Sequence, residues 1–171
     1  MNFRDCIREI PDFPKEGIIF KDITPIFKNP AAFKDMIDEL YESVKDFDFD
    51  YIAAIEARGF LVGTPLALKL NKGFIPIRKK GKLPGEVVRA SYDLEYGSNT
   101  IEMHKDAFEP GSKILIMDDL LATGGTVSAA IDLVRGLEGE VVGLAFLMEL
   151  GFLNGRDKFD SDLPVATLIQ D

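Results

Sequence analysis

The sequence predicts an α/β fold, in which helices cover both faces of a central, mainly parallel β-sheet. Two observations support this class. Four short segments, 51–55, 74–77, 113–117 and 141–147, are apolar at nearly every position. Strands that are buried on both faces of a sheet have this character. Segments with the spacing of amphipathic helices alternate with them, which is the order that produces a parallel sheet.

The first third of the chain is predicted to contain two helices and one extended segment. Residues 2–9 are expected to form a short helix, and residues 17–25 a strand or extended loop that ends at a proline. Asn29 followed by Pro30 is typical of a helix N-terminus, because the amide side chain caps the first turn and proline suits the first helical position. Apolar residues then recur at helical spacing up to Val44.

The remaining elements follow from the same patterns. Helices are expected at 61–70 and about 126–137. Residues 87–104 alternate with period two, and Gly97–Asn99 is expected to close a β-hairpin. This hairpin is polar and aromatic, so it is expected to project from the domain and to stay out of its core. No repeat or linker interrupts the sequence, which favours a single domain over residues 1–171.

The composition excludes several classes of function. The chain has 171 residues, with 29 acidic and 20 basic side chains and a formal net charge of −9. This balance argues against nucleic acid or an anionic membrane as a partner, since both are bound by basic faces. One cysteine and one histidine exclude an intrachain disulfide and zinc sites built from several such residues. The longest apolar run, 141–148, is far short of the ~20 residues of a membrane span. We therefore expect a soluble, cytoplasmic protein.

The segment 114–126 contains the strongest functional motif. A buried strand ends in Asp118 and Asp119, and a Thr-Gly-Gly-Thr loop then opens a helix. Helix N-termini offer unpaired N–H groups to anions, and glycines let a backbone approach a phosphate closely. The two acids need another partner, and ribose hydroxyls fit them, either directly or through magnesium. The motif predicts a ribose-phosphate site, although an ordinary strand–loop–helix connection would share its main features.

Basic residues follow two other predicted strands. They are Arg58, after the first apolar strand, and Arg78, Lys79, Lys80 and Lys82, after the second. A basic run is more often a solvated surface than a binding site. However, ligands of open parallel sheets bind at the carboxyl ends of the strands. These residues are therefore predicted to bind a polyanion such as pyrophosphate beside the ribose-phosphate loop.

A family resemblance enters with these residues. DDLLATGGT, at 118–126, resembles the binding motif for 5-phosphoribosyl-1-pyrophosphate (PRPP) of type I phosphoribosyltransferases. Longer segments resemble the members of that family that act on adenine, and the match runs nearly end to end. These segments are PDFPKEGIIFKDITP, EARGF, IRKKGKLPGE, ASYDLEYG and IEMHKDA.

The resemblance implies an activity and an architecture. The activity is the salvage reaction that transfers the phosphoribosyl group of PRPP to N9 of adenine, giving AMP and pyrophosphate. The enzyme would be a magnesium-dependent homodimer. The architecture is the type I phosphoribosyltransferase fold with a projecting β-hairpin, the hood, at about 83–106, and the PRPP loop at 118–126.

The resemblance also assigns individual residues. The ribose and its 5′-phosphate are assigned to Asp118, Asp119, Ala122, Thr123, Gly124, Gly125 and Thr126. Pyrophosphate is assigned to Arg58, Arg78, Lys79 and Lys82. Adenine is assigned to Ile19, Phe20, Lys21 and Leu150. Glu95, which by spacing alone would be a solvated hairpin residue, matches the acid on the hood that exchanges a proton with the base. Magnesium is expected to arrive with PRPP and water, without an assigned protein ligand.

Two other functions stay open at this point. A phosphoribosyltransferase for hypoxanthine, guanine or xanthine would share the PRPP loop but would need polar side chains to read an O6 edge. A PRPP-sensing regulator that binds DNA would need an additional module and a basic face, and an acidic chain of this length argues against both.

Overall fold

The computed structural model describes residues 1–94 and 97–171. Over these residues the chain falls into a smaller unit, 1–42, and a larger unit, 43–171. In the smaller unit a 3₁₀ turn (Phe3–Cys6) precedes β1 (Arg8–Pro11), β2 (Ile19–Asp22), α1 (Thr24–Lys28) and α2, which runs over Pro30–Val44 and ends at the start of the larger unit. No helix within the described residues is long and apolar enough to cross a membrane.

The N-terminal helix predicted over residues 2–9 is wrong in its second half. Only Phe3–Cys6 is helical, as a 3₁₀ turn, and the following residues form β1, which pairs antiparallel with β2. The register places Arg8 opposite Asp22 and Glu9 opposite Lys21. Opposite charges directly across an antiparallel pair favour the ladder, and this partner lies too far along the chain for a local pattern to reveal it.

The start of α2 confirms the capping prediction. The Asn29 side-chain oxygen accepts hydrogen bonds from the N–H groups of Ala31 and Ala32 at 3.1 and 3.2 Å. These donors would otherwise be unpaired in the first turn. The apolar face then buries Met36, Leu40 and Val44 completely, as the helical spacing predicts.

The larger unit contains the sheet and two long helices. Its strands are β3 (Tyr51–Ile55), β4 (Gly73–Lys79), β5 (Val87–Leu94), β6 (Gly97–His104), β7 (Lys113–Leu121), β8 (Glu140–Glu149) and β9 (Val165–Gln170). Its helices are α3 (Arg58–Leu70) and α4 (Gly125–Gly136), with 3₁₀ turns at Gly151–Leu153 and Gly155–Lys158.

In the described part of this unit the strands form one sheet in the order β5-β6-β4-β3-β7-β8-β9. Five neighbouring strands of this sheet, β4, β3, β7, β8 and β9, run parallel to one another. The strand β6 is antiparallel to both of its neighbours, β4 and β5. Helix α3 connects β3 to β4, and α4 connects β7 to β8. Each connection is a βαβ unit, the element of which parallel sheets are built. The predicted fold class, a mainly parallel sheet with helices, is confirmed.

The expectation that the hairpin stays out of the core is wrong for its second strand. β6 extends the sheet next to β4, and Ile101 and Met103 are 2% and 0% exposed in the main core. Gly97–Asn99 do not close the hairpin but belong to β6, where Gly97 pairs with Leu94. Pairing with β4 makes β6 part of the sheet, and α4, which packs on β5 and β6, covers one of its faces. A period-two pattern alone does not show which element will cover that face.

The central strand β7 is longer than its apolar segment. It runs to Leu121, so Asp118 and Asp119 lie within the strand and not after it. Asp118 pairs with Phe146 of β8, and β8 also extends farther than the predicted 141–147, to Glu149. The ladder between two central strands therefore holds the acid pair in a rigid extended backbone.

Candidate functional site

One cavity lies at the carboxyl ends of β3, β4 and β7. Its volume is about 310 Å³. It is lined by Ile55, Glu56, Ala57, Arg58, Lys79, Tyr92, Ile101, Asp118, Asp119 and Thr126. The edge at which open parallel sheets bind ligands is therefore the place where the predicted acids, a helix N-terminus and two predicted cations meet.

The acid pair is positioned by the close approach of α3 to β7. A Cβ atom on Gly59 would lie 3.0 Å from Oδ1 of Asp118 and 3.4 Å from its Cα. Only glycine permits this approach without displacement. The same Oδ1 atom accepts the N–H of Asp119 at 2.8 Å. Asp118 is thereby oriented by the backbone on one side and by α3 on the other.

Asp119 is paired with a predicted pyrophosphate ligand. Its Oδ2 lies 2.9 Å from Nε of Arg58, the first residue of α3. The carboxylate is buried, whereas 44% of the Arg58 side chain is exposed. The structure therefore places one residue assigned to ribose and one assigned to pyrophosphate in direct contact.

The two aspartates have different electrostatic surroundings. Burial of the carboxyl group raises the pKa of Asp118 well above its ordinary value, and the neighbouring charge of Asp119 raises it further. The hydrogen bond from the Asp119 N–H and the charge of Arg58 oppose this rise. Asp118 would accept additional hydrogen-bond donors such as hydroxyl groups, because they would stabilise its charged form.

The phosphate loop, 122–124, is shaped by contact with a distant segment. Gly124 has a φ of +87°, and a Cβ atom there would lie 2.3 Å from the carbonyl oxygen of Gly155. A Cβ atom on Gly155 would in turn lie 2.5 Å from the carbonyl oxygen of Ala122. Gly124 is therefore required by backbone packing as well as by its positive φ. Thr123 lies in this loop, while Gly125 and Thr126 open α4.

The basic turn, 80–82, is held in place by two carboxylates. Glu56 accepts the N–H of Lys79 at 2.7 Å and Nε of Arg78 at 3.2 Å. Glu102, which is 1% exposed, accepts the N–H of Gly81 at 2.7 Å and a further hydrogen bond from Nε of Arg89. Mainly through the hydrogen bond from Gly81, the pKa of Glu102 is held below its ordinary value.

Tyr92 is a cavity residue that sequence reasoning missed. It lies on β5, and a Cβ atom on Gly125 would be 3.3 Å from its ring. The ring therefore packs against the first residue of α4, beside the phosphate loop. Tyr92, Glu56 and Glu102 all belong to the motif segments, and that membership is the signal that could have identified them. Nothing in the local sequence indicates the contact made by Gly155.

The other predicted residues lie outside this cavity in the described structure. Arg78 reaches it only through its ion pair with Glu56, and Lys82 is exposed on the basic turn. Leu150 follows β8, where its N–H donates to the carbonyl oxygen of Leu121 at 2.9 Å. Glu95 lies outside the described residues, as does Tyr96.

The adenine residues assigned to β2 belong to the smaller unit. Ile19 is 60% exposed, and Phe20 and Lys21 are half-buried. The Phe20 ring packs edge-on against Phe13, with 5.2 Å between the ring centroids. Lys21 forms an ion pair of 2.7 Å with Glu9 across the hairpin. Phe20 is therefore held by an aromatic neighbour and Lys21 by a carboxylate.

A larger recess of about 680 Å³ is lined by Pro84, Gly85, Glu86, His104, Lys105 and Asp106. It contains neither the acid pair nor the helix N-terminus that an anionic sugar requires.

Among residues 1–94 and 97–171, no group of three or more His, Cys, Asp or Glu side chains is placed to hold a metal ion. The carboxylates of Asp118 and Asp119 in the smaller cavity are hard oxygen donors of the kind that a magnesium ion accepts.

Comparison with known proteins agrees with the geometry. A family model described as the phosphoribosyl transferase domain matches residues 22–166. The adenine phosphoribosyltransferase of Halothermothrix orenii is 61% identical over 171 residues, which is 100% of both chains. The crystal structure of adenine phosphoribosyltransferase from Thermoanaerobacter pseudethanolicus matches with a TM-score of 0.94 and 51% identity, covering 99% of this chain and 98% of that chain.

A further solved structure contains ligands. Adenine phosphoribosyltransferase from Saccharomyces cerevisiae, complexed with D-2,5-dideoxy-2,5-imino-altritol 1,6-bisphosphate and adenine, matches with a TM-score of 0.90. Its sequence identity is 46%, over 96% of this chain and 95% of that chain. The resemblance expected from the sequence is thus confirmed over the whole length, with the type I fold. The chain belongs to the adenine phosphoribosyltransferase family, the purine-salvage transferases within the phosphoribosyl transferase group.

Proposed function

We propose that this chain transfers the phosphoribosyl group of PRPP to N9 of adenine in the cavity at the strand ends, releasing AMP and pyrophosphate. The observation that carries this proposal is the composition of the cavity. Two aspartates of β7, the start of α4 and the cations Arg58 and Lys79 line one volume of about 310 Å³. A sugar that carries a phosphate at one end and a pyrophosphate at the other needs these groups together.

Each half of PRPP has a matching part of the site. The N–H groups at the start of α4 and the Thr126 hydroxyl would bind the 5′-phosphate. Asp118 and Asp119 would accept hydrogen bonds from the ribose hydroxyls. Arg58 and Lys79, with Arg78 of β4 and Lys82 of the basic turn, would hold the pyrophosphate. When the C1′–O bond breaks, the ring gains positive charge near the acids and the leaving group gains negative charge near the cations.

Magnesium is proposed as a companion of PRPP. When bound, it would neutralise charge on the departing pyrophosphate as a Lewis acid. Asp118 and Asp119 are the carboxylates that would face its water shell or the ribose oxygens. Asp119 can do so while it keeps its contact with Arg58, because a carboxylate has a second oxygen free to accept.

Adenine recognition is proposed from the resemblance. The resemblance assigns Phe20 to one face of the base and Leu150 to the other, with Ile19 and Lys21 beside Phe20 at the edge of the base. Main-chain groups around Ile19 would read the edge of the base, so the exocyclic amine would donate to a carbonyl and an O6 atom would be rejected. Glu95 would exchange a proton with the base as N9 attacks C1′. Single-turnover AMP formation by Glu95→Gln tests that role, and a wild-type rate would exclude it.

We also propose that residues 1–171 act as one phosphoribosyltransferase domain that includes the hood at 83–106 and the PRPP loop at 118–126. The family match over 22–166, which crosses the boundary between the two units, supports this organisation. Limited proteolysis with and without PRPP tests it, since a single domain should be protected as a whole.

A homodimer in the cytoplasm is proposed as the working state. Leu61 and Leu68 of α3 are 45% and 83% exposed, and their i, i+7 spacing puts them on one helix face. An exposed apolar helix face of this kind suits contact with a second copy. Light scattering of the wild type and of Leu68→Asp would test the dimer.

The lone Cys6 suits a reducing compartment, and cell fractionation would test the location.

The decisive experiment is nucleotide formation with several bases. The purified protein is incubated with PRPP, magnesium and adenine, hypoxanthine or guanine. AMP should form with adenine, and nucleotide formation from the other bases should be slower by roughly 10⁴-fold, because their O6 atom would face a carbonyl acceptor. Comparable rates with hypoxanthine would overturn the adenine assignment while leaving phosphoribosyl transfer intact.

A matched pair of variants tests the site itself. Asp119→Asn should lower turnover at limiting PRPP by about ten- to a hundredfold, as expected for a lost charged hydrogen bond. Asp132→Asn, which removes an exposed aspartate of α4, should leave turnover unchanged. Equal rates for the two variants would remove Asp119 from the site.

A further inference from the structure

An ion pair between a buried carboxylate, Glu149, and an exposed guanidinium, Arg156, lies next to the phosphate loop. Glu149, the last residue of β8, is 6% exposed. Its two carboxylate oxygens accept hydrogen bonds from Nε and Nη2 of Arg156 at 2.7 and 2.6 Å. These hydrogen bonds hold the pKa of Glu149 below its ordinary value. A bidentate pair fixes orientation as well as distance, so Arg156 locks the 3₁₀ turn 155–158 to the end of β8.

This turn supports the phosphate loop directly. Gly155 precedes Arg156, and its backbone meets the backbone of Gly124 and Ala122 so closely that neither glycine could carry a Cβ atom. The position of Gly155 therefore determines where the loop lies. Because Arg156 determines the position of Gly155, the ion pair acts on the loop through one covalent neighbour.

Leu150, the residue assigned to adenine, is the next residue after the carboxylate of this ion pair. Leu150 follows Glu149, and its N–H donates to the carbonyl oxygen of Leu121 at 2.9 Å, immediately before the phosphate loop. On the other side, Asp171 donates its N–H to the carbonyl oxygen of Glu149 at 2.9 Å and accepts the N–H of Gly151 at 3.0 Å. Residues 149–151 are thus held between β7 and the end of the chain.

We propose that the Glu149–Arg156 ion pair is a positioning device that sets the phosphate loop and Leu150 relative to each other. Affinity for the phosphate end of PRPP and for adenine then depends on one pair of side chains that touches neither. The cavity lining, among the described residues, includes neither Glu149 nor Arg156. The part of this proposal that concerns adenine affinity rests on the proposed function. The part that concerns phosphate affinity follows from the geometry of the loop alone.

The test is a comparison of Arg156→Met with Arg4→Met. Arg4 makes a similar bidentate pair with Glu39 in the smaller unit, with both distances at 2.9 Å, and 37% of its side chain is exposed, compared with 44% for Arg156. Arg156→Met should raise KM for PRPP and for adenine together, by about ten- to a hundredfold, as expected when a binding group shifts by up to an ångström. Its kcat at saturation should change less. Arg4→Met should leave both KM values unchanged, even if its thermal midpoint falls.

Two further measurements separate a displaced loop from a protein that fails to fold. Arg156→Lys keeps the charge but loses the bidentate geometry, so its KM values should be intermediate; it also serves if Arg156→Met does not fold. Calorimetric binding of ribose 5-phosphate reports on the phosphate loop without adenine transfer. If Arg156→Lys binds ribose 5-phosphate like the wild type with unchanged KM values, the proposal is wrong. If the wild type binds ribose 5-phosphate but forms no AMP, the proposed function fails and the positioning role for the loop is still tested.

Discussion

The two loops assigned to the anionic ends of PRPP are held in place by different forces. The phosphate loop, 122–124, is fixed by backbone packed on backbone, with Gly124 and Gly155 in contact. The basic turn, 80–82, is fixed by carboxylates: Glu56 accepts the N–H of Lys79, and Glu102 accepts the N–H of Gly81. The position of the phosphate loop therefore depends on close packing, and the position of the basic turn depends on hydrogen bonds to charged carboxylates.

This difference shows how each loop meets its requirements. A loop that binds phosphate through N–H groups needs a fixed backbone, and close packing provides it without consuming those donors. Lys80 and Lys82 of the basic turn repel each other and the adjacent Lys79, and the carboxylates of Glu56 and Glu102 offset that repulsion while they orient the backbone. The carboxyl groups also differ. The pKa of Glu102 is lowered by its donors, whereas the pKa of Asp118 is raised by burial and by Asp119.

Gly124→Ala should have the largest effect, because it breaks the loop that depends on shape. A methyl group would lie 2.3 Å from the carbonyl oxygen of Gly155, and φ is +87°. A left-handed non-glycine residue and an overpacked contact together cost about 2–5 kcal/mol. KM for PRPP should rise by about a hundredfold or more. Gly136→Ala, at the end of α4 with open space around it, is the control and should be neutral or slightly stabilising. A wild-type KM in Gly124→Ala would contradict the packing argument.

Asp118→Asn should lower turnover by about ten- to a hundredfold and raise stability at neutral pH. The folded pKa of Asp118 lies above its ordinary value, so the stabilisation it contributes is complete below about pH 3.8 and is lost as the pH rises through the folded pKa. Replacing the acid removes that loss. Thermal midpoints at pH 4 and pH 7 check this, and the gain should be larger at pH 7. If Asp118→Asn is less stable than the wild type at pH 7, the pKa of Asp118 is not raised in the folded protein.

Glu102 variants test whether the basic turn depends on charge. Glu102→Ala should raise KM for PRPP by about tenfold, because the Gly81 N–H loses its acceptor. Glu102→Gln keeps an acceptor oxygen and should recover part of the affinity. Because the pKa of Glu102 is lowered by folding, its carboxylate stabilises the folded protein above pH 4.5, the ordinary pKa of a glutamate, and this stabilisation is lost as the pH falls through the folded pKa. This pH dependence is opposite in sign to that of Asp118. Identical KM values in all three proteins would show that the turn needs no such support.

Asn29→Ala should have the smallest effect on the site and sets the scale for a purely structural change. The Asn29 side chain caps α2 through hydrogen bonds to Ala31 and Ala32. Its removal should lower the free energy of unfolding by about 1 kcal/mol. Both KM values should stay at wild-type levels in steady-state assays. An increase in either would mean that stability alone alters the site, and the other comparisons would need correction for it.

The sequence by itself determined the elements whose signals are local. The apolar strands, the cap at Asn29 and the Thr-Gly-Gly-Thr helix start all depend on neighbours within a few residues, and the structure contains each of them. The acid pair next to that helix start was also readable, because one strand carries both aspartates into the cavity. The family followed from these motifs and their flanking segments.

Only the tertiary structure decided the features that depend on distant partners. Pairing with β4 brought β6 into the core, and pairing with β8 kept Asp118 and Asp119 within a strand. The supports beneath the two loops, from Glu102 and Gly155, join residues that are far apart in the chain. Packing and hydrogen bonding act at a few ångströms in space whatever the separation along the sequence, and a local pattern contains no record of which surfaces will meet.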